Sequence, residues 1–505
     1  MSNSILSRFV ASLFNNILRS GISFLTGMLV ARWLGPLDYG RLAFLLASFT
    51  SFQQLWDMAS SSAFFTFLSQ KQRSRQFVSF YWRWIGMQFL LSFLLVGVLL
   101  PETWMYSIWI GEERFVILLA FVAAFMQGVV WPIASQMAEA QRQTMRVQLI
   151  NTVLVTLHLG VVLGLWFAGK VAIPLLLGAM AIEWGLAGWY AARLYKSRNE
   201  EDVGENEITD TASSVWKEFY RYCLPFVPYV WLGFAQDFFD RWMLQRWGGS
   251  TEQAFYAVAN QVAVIVLLAT TSILRIFWKE IAEAYHQQDL EKMRDLYYRV
   301  SRGLFFVGAV VAGGLIPWAG EIIYISLGSA YVGGTITLAM MFFFPVFQSL
   351  GQICATMFYA TGKTRIQVTV GMSFMVAGII VTYLMLAPPD AIVPGFGLSS
   401  RGLVFKVILL TVISVNIQNW IIARIFGWHF KWLYQVAGLT IAVLAGWLVK
   451  YVTTGLLPPA ALTTMIVSSC GYLALMLGLA YAAPWMAGTS REEIRNVVTR
   501  RLCRP

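Results

Sequence analysis

Arg19 and Arg241 carry guanidinium groups inside apolar stretches of the chain. In "AQDFFDRWML" (Ala235 to Leu244), Asp237 and Asp240 stand close to Arg241. Charges are costly in hydrocarbon, and they commonly face a bundle interior or a water-filled cavity. The spacing is helical. Asp237 precedes Arg241 by four residues, an acid-first order that lets the two pair on one helix face, and Asp240 edges the same surface. Asn15 and Arg19 repeat that interval. Gln53 and Asp57 form a stripe with Ser60 and Ser61, while Gln348, Gln352, Thr356 and Tyr359 line one side of a helix after Pro345. Gln127, Gln136, Glu139, Glu183, Asn260 and Gln261 add polar groups to other apolar runs. A planar guanidinium can grip phosphate oxygens through two parallel hydrogen bonds. Neutral amides, hydroxyls and aromatic rings suit the hydroxylated faces of sugars. The inventory fits an amphiphile with an anionic phosphate and a sugar head. For each residue the alternative is a clip between helices, because intramembrane polar groups also hold helices together.

The elements that must position these groups are membrane spans. Of 505 residues, 58% are hydrophobic and only 12% charged, against roughly 25% charged in soluble domains. The 21 Trp suit helix ends at lipid headgroups. The first apolar run, Leu13 to Leu34, is too long for a cleavable signal and is expected as the first span. Taking about 20 apolar residues per crossing, fourteen spans are expected. They start near Leu13, Leu42, Phe80, Phe115, Val147, Val171, Leu224, Ala254, Leu304, Thr335, Val368, Leu403, Leu433 and Ala461. With the N-terminus inside, one side collects most cations, among them Arg73, Arg75, Arg193, Lys196, Lys217, Arg294, Arg299 and Arg424. The other side keeps Arg32, Arg41, Arg114, Lys170, Arg246, Arg401, Lys406 and Lys450. Cytoplasmic loops hold the excess of Lys and Arg, so both termini are expected in the cytoplasm of a cell whose inner membrane holds the protein. The net charge of +11 is then a topology signal, and nucleic acid is not an expected partner.

Six helices apart, short stretches repeat. Met137, Ala140 and Thr144 match Met357, Ala360 and Thr364, and Arg146-Val147-Gln148 matches Arg365-Ile366-Gln367 after a one-residue deletion. Arg32-Trp33 likewise resembles Arg246-Trp247. An even offset gives copies that run in the same direction, related by an axis along the membrane normal, with a substrate site between them. The expected fold is therefore all-α and polytopic: a six-helix bundle (1–195), an acidic cytoplasmic linker (196–218) and a second six-helix bundle (219–426). Two additional transmembrane helices (427–485) and a basic cytoplasmic tail (486–505) follow. Residues 279–300 have the charge pattern of a surface helix lying against the membrane. Cys223, Cys354, Cys470, Cys503, His158, His286 and His429 lack metal-ligand or redox spacing and read as apolar filler and solvated imidazoles. No metal or cofactor is expected.

At the level of motifs the chain resembles a known group. "ARWLGPLDYG" (Ala31 to Gly40) is similar to the turn after the first helix of polysaccharide transporters. "LPFVPYVWLGFAQDFFDRWML" with "AFYAVANQVAVI" resembles their seventh and eighth helices, and "ATGKTR" (Ala360 to Arg365) their tenth-to-eleventh loop. The family is the Wzx-like branch of the multidrug/oligosaccharidyl-lipid/polysaccharide (MOP) exporter superfamily. The resemblance implies alternating-access flipping of an undecaprenyl-diphosphate-linked oligosaccharide to the outer leaflet, with H+ or Na+ as a coupling ion and membrane lipids as partners. Fourteen spans depart from the twelve usual in that branch and resemble the related lipid II flippases. A cation-coupled multidrug antiporter of the same fold is the rival cargo, although Arg19 and Arg241 are poor hosts for cationic drugs. A polytopic glycosyltransferase or polymerase would need acid–base groups on the outer side. The connections 101–114 and 388–401 are short and carry no such motif.

Overall fold

Spans one and two are joined without a loop. In the computed structural model α1 (Ser2–Asp57) is two helices that meet at a sharp kink at Gly35, whose φ of 75° and ψ of 170° are non-helical and lie in a region closed to side-chain-bearing residues. Residues 2–70, 73–141, 143–201, 212–268, 271–456, 461–486 and 488–489 are described. Among them eleven helices are long and apolar enough to cross a membrane, and the chain has the all-α fold of a multi-pass membrane protein. It divides into two compact units, residues 1–254 and 255–505.

Unit 1 continues with α2 (Ser60–Gln70), α3 (Arg75–Leu94), α4 (Glu102–Ile108), α5 (Arg114–Phe125) and α6 (Trp131–Ala140). Then come α7 (Thr144–Phe167), α8 (Ile173–Glu201), α9 (Ala212–Cys223), α10 (Val227–Met243) and the start of α11 (Gly249–Leu268). The first helix packs along α7 and α10, and α8 packs on α5 and α6. The expected linker is partly structured. Its first residues extend α8, and its last ones begin α9, where Phe219 is buried and stacks on Phe77 and Tyr81. Bidentate contacts from Arg73 to Glu218, at 2.6 and 3.0 Å, tie α9 down. Asp202, Glu205, Glu207 and Asp210 lie outside the described residues, as does nearly all of the basic tail.

In unit 2 lie α12 (Thr271–His286), α13 (Leu290–Leu315), α14 (Ala319–Leu327), α15 (Thr335–Met341) and α16 (Phe343–Ala360). They are followed by α17 (Thr364–Leu386), α18 (Ser399–Phe426), α19 (Leu433–Leu456) and α20 (Ala461–Ala482). The expected surface helix over 279–300 is a helical corner instead. It turns at Gln288, with φ of 60°, and restarts under an Asp289 carboxylate that accepts from the Lys292 N–H at 2.9 Å. Lys406, expected in an outer connection, lies inside α18 with 1% of its surface exposed.

The six-helix period has local counterparts in the backbone. The α6 and α16 helices both stop at an alanine, Ala140 and Ala360, and α7 and α17 both restart at a threonine, Thr144 and Thr364. Between them the Gln143 N–H bonds Ala138 O at 3.0 Å, as the Lys363 N–H bonds Phe358 O at 2.7 Å. Gly35 and Gly249 share φ near 75–78° and an extended ψ, which explains why a glycine stands at both turns. These two turns meet: a Cβ on Gly40 would strike the Ser250 carbonyl oxygen. Backbone cannot swing aside as a flexible side chain can, so Gly40→Ala should cost about 1–3 kcal/mol. It should lower the unfolding midpoint of the detergent-purified protein by several degrees, whereas Gly164→Ala, with open space around it, should not. Equal midpoints would contradict the close approach.

Candidate functional site

Span two is where unit 1 departs most from regular helix. After Asp57 the chain passes through Met58 and Ala59, with φ of 45° and 66°, before α2 begins. Non-glycine residues hold such angles only when their surroundings enforce them. Here Asp57 does so. Its carboxylate accepts from the Ser61 N–H at 2.9 Å and from the hydroxyls of Ser60 and Ser61 at 3.0 and 2.9 Å. The carboxylate thus caps a helix interrupted within the bundle.

Two further irregularities face this break. Pro101 lacks the N–H that would bond Gly97, and the end of span three widens into a π-helical turn over Leu95–Leu99. Arg114 takes up the released carbonyls, donating to Gly97 O at 2.7 Å and Leu100 O at 3.1 Å. In span four Pro132 has the same effect on Gly128, and the chain is π-helical over Met126–Val130. Between these elements lies a cavity of about 260 Å³. Phe49, Phe52, Trp56, Phe121 and Phe125 give it aromatic walls, and Gln53, Gln54, Gln88 and Gln136 supply amides. Thr50, Ser61 and Ser92 add hydroxyls, and Asp57 alone among the lining residues is charged. Gln88 is partly engaged, donating to Trp56 O at 3.0 Å. Gln53 Nε2 and Gln136 Oε1 are buried without a hydrogen-bond partner. A Cβ on Gly128 would meet the end of the Gln53 side chain, which can swing aside. Trp109 in the connection after α4 is fully buried behind the walls, stacked 5.3 Å from Phe49 and donating to Ser48 Oγ at 3.0 Å.

Around the expected charged cluster the residues separate. Asn15 clips α1 to α7: its Nδ2 donates to Gln148 O at 3.0 Å, and its Oδ1 accepts from Thr152 at 2.9 Å. Arg19, one turn on along the same face, is half-buried, and no hydrogen bond or ion pair holds it among the described residues. In α10, Asp237 is exposed, Asp240 is buried and Arg241 is half-buried. Tyr39, just past the Gly35 bend, lies within electrostatic reach of Arg241. Phe234 and Phe238, on the same helix, pack edge-on against Phe52 at 5.4 and 5.6 Å and so adjoin the cavity wall.

Glu183 is matched to a residue that the sequence reading passes over. His158 Nδ1 lies 2.7 Å from Glu183 Oε2, which joins α7 to α8. His158 is therefore not a solvated imidazole. A lone histidine in the middle of an apolar run was the available signal. In unit 2, Asn260, Gln348 and Gln352 are half-buried, and Gln352 O accepts from Thr356 at 2.7 Å. Tyr359 is exposed and stacks on Trp278 at 5.7 Å.

Solved structures share this fold. The lipid II flippase MurJ, in an inward closed conformation, superposes with a TM-score of 0.67 at 12% identity over 94% of this chain and 99% of that one. An inward-facing multidrug resistance MATE family transporter gives 0.59 at 13% identity, over 80% and 95%. A MOP superfamily transporter from Pyrococcus furiosus, described as having a binding pocket of reversed polarity, gives 0.53 at 13% identity, over 81% and 93%. Among curated proteins no sequence matches. The family described as polysaccharide biosynthesis protein matches residues 5–277, more than half of the chain. The chain therefore belongs to the polysaccharide biosynthesis protein family.

Proposed function

We propose that the protein flips a polyprenyl-diphosphate-linked oligosaccharide from the cytoplasmic to the outer leaflet of the inner membrane by alternating access. It is a transporter and not an enzyme. The observation that carries the reading is Arg19, a cation in a membrane-crossing helix with no counter-ion among the described residues. An uncompensated guanidinium in the bilayer is expensive and is retained where an anion visits. A diphosphate matches its donor fork better than any neutral group. Arg241 on α10, near Tyr39 and away from Arg19, offers a second fork further along the path, with the exposed Asp237 as its release partner once the phosphates leave. The fold shared with MurJ, named a lipid II flippase, supports a lipid-linked cargo.

Removing one charged fork should cost about 1.5–3 kcal/mol of binding, roughly tenfold or more in affinity. In cells that depend on this protein, Arg19→Gln and Arg241→Gln should each depress surface polysaccharide by at least that factor at unchanged membrane abundance. Arg19→Lys should retain an intermediate level, because the charge stays while the fork is lost. Wild-type polysaccharide in both Gln variants would remove the guanidinium groups from the mechanism.

Coupling is assigned to the His158–Glu183 contact, in which two ionisable side chains join α7 to α8. Glu183→Gln should leave flipping insensitive to collapse of the proton gradient, whereas wild-type flipping should fall on the same treatment. Equal sensitivity of the two proteins would place the coupling elsewhere.

A further inference from the structure

We propose that the cavity beside Gln53 and Gln136 is a carbohydrate subsite that receives one neutral, hydroxyl-bearing pyranose ring of the lipid-linked glycan. The inference rests on the flippase reading and adds where the first sugar sits.

Size sets the first limit. At about 260 Å³ the cavity falls just below the roughly 300–1,000 Å³ of pockets for drug-sized ligands. One ring fits, and a whole oligosaccharide does not. Hydrogen bonding sets the second. The unpartnered Gln53 Nε2 is a donor and the unpartnered Gln136 Oε1 is an acceptor, and such orphaned groups are rare in native interiors. A sugar hydroxyl both donates and accepts, so neighbouring hydroxyls of one ring satisfy both. Phe49, Phe52 and Trp56 offer flat apolar walls for the C–H face of the same ring. Charge sets the third limit. Asp57, the one charged lining residue, is engaged by Ser60 and Ser61, so nothing in the cavity draws a phosphate. An isoprenoid tail would leave both amides unsatisfied.

The backbone points to the same place. A helix break and two π-helical turns border one small volume. Irregular helix at membrane depth is tolerated where it lines a cavity, and it is common at binding sites. Thr50, Gln54 and Gly128 are exposed at the rim, whereas Phe49, Gln88 and Phe125 are buried at the base, which leaves a way in from the rim.

The test uses the full chain in detergent with two probes: lipid-linked oligosaccharide extracted from cells lacking this protein, and the same polyprenyl diphosphate without sugar. Gln53→Met and Gln136→Met keep side-chain volume and remove the amide, and Gly128→Leu fills the space. The wild-type protein should bind the glycosylated carrier at least tenfold more tightly than the bare one. Each Met variant should shrink that ratio by about three- to tenfold, and Gly128→Leu should abolish it. Affinity for the bare carrier should stay constant, which also certifies the fold of each variant. A ratio unchanged in the Met variants overturns the subsite while leaving the flippase intact. Weakened bare-carrier binding in Gly128→Leu with an unchanged unfolding midpoint assigns the cavity to the isoprenoid tail and overturns it too. Failure of the wild-type protein to bind either carrier overturns the flippase reading, and the subsite falls with it.

Discussion

Within the hydrocarbon layer no water is present to satisfy a released N–H or C=O, and each such group costs several kcal/mol if left alone. Two interruptions of helices in unit 1 are answered by specific side chains for this reason. Asp57 caps the restart at Ser60, with its two oxygens shared among three donors. Arg114 covers the carbonyls that Pro101 leaves open. Where the prolines sit determines where the ladders loosen, and the loosened ladders determine where a cavity can exist. On the proposed reading, a ligand's hydroxyls satisfy the unpaired Gln53 and Gln136 atoms of the cavity.

Around that soft region the structure is held rigidly. Arg41 grips Glu112 through two contacts of 2.7 and 2.9 Å and also reaches Asp38 at 3.0 Å. These three residues tie the turn after span one to the connection that presents Trp109. In unit 2 the approach of α13 to α19 leaves no room for side chains: a Cβ on Gly446 would meet the Gly313 carbonyl, and one on Gly313 would meet Ala442. Small residues at such contacts let transmembrane backbones pack by dispersion alone. The Tyr472 hydroxyl on α20 then donates to Val310 O at 3.0 Å, and Lys450 on α19 bridges Pro317 O and Glu321 at 2.7 and 2.6 Å. The last two helices are thereby knitted into unit 2 by polar contacts as well as by packing.

The sequence conveys periodicity well and pairing poorly. The start of each apolar run, the split at Gly169-Lys170 and the matched Thr144 and Thr364 helix starts are local facts, readable from composition and turn residues. The break at Gly35-Pro36 is readable as the end of one helix and the start of the next, whereas the tightness of the kink that joins them is not. His158 and Glu183 are 25 positions apart on different helices, so nothing in either neighbourhood announces the other. Asp57 illustrates the converse. Its place in a polar stripe is visible, but its work is local, because two serines immediately downstream can saturate a carboxylate more cheaply than a distant partner can. The cavity amides come from spans two, three and four. Gln53 and Gln136 stand out as amides in apolar runs, whereas their convergence depends on two proline-loosened helices that a regular 3.6-residue pattern does not foresee.

A flippase must bind its cargo tightly enough to select it and loosely enough to let it go on the other side, as any conducting site must. On the proposed reading the two demands fall on different groups. Charge-assisted contacts from Arg19 and, further along the path, Arg241, about 1.5–3 kcal/mol each, would hold in turn the diphosphate that every lipid-linked glycan shares. Neutral amide contacts, about 0.5–1.5 kcal/mol each, would sample the first sugar without trapping it. Adding cations to the cavity would strengthen binding equally at the start and the end of the journey. It would slow release without improving discrimination among glycans, because a phosphate carries no information about which sugar follows it. An amide-lined chamber without cations, set apart from the guanidinium groups, avoids that conflict, and the helix irregularities of spans two, three and four are the structural means of making room for it.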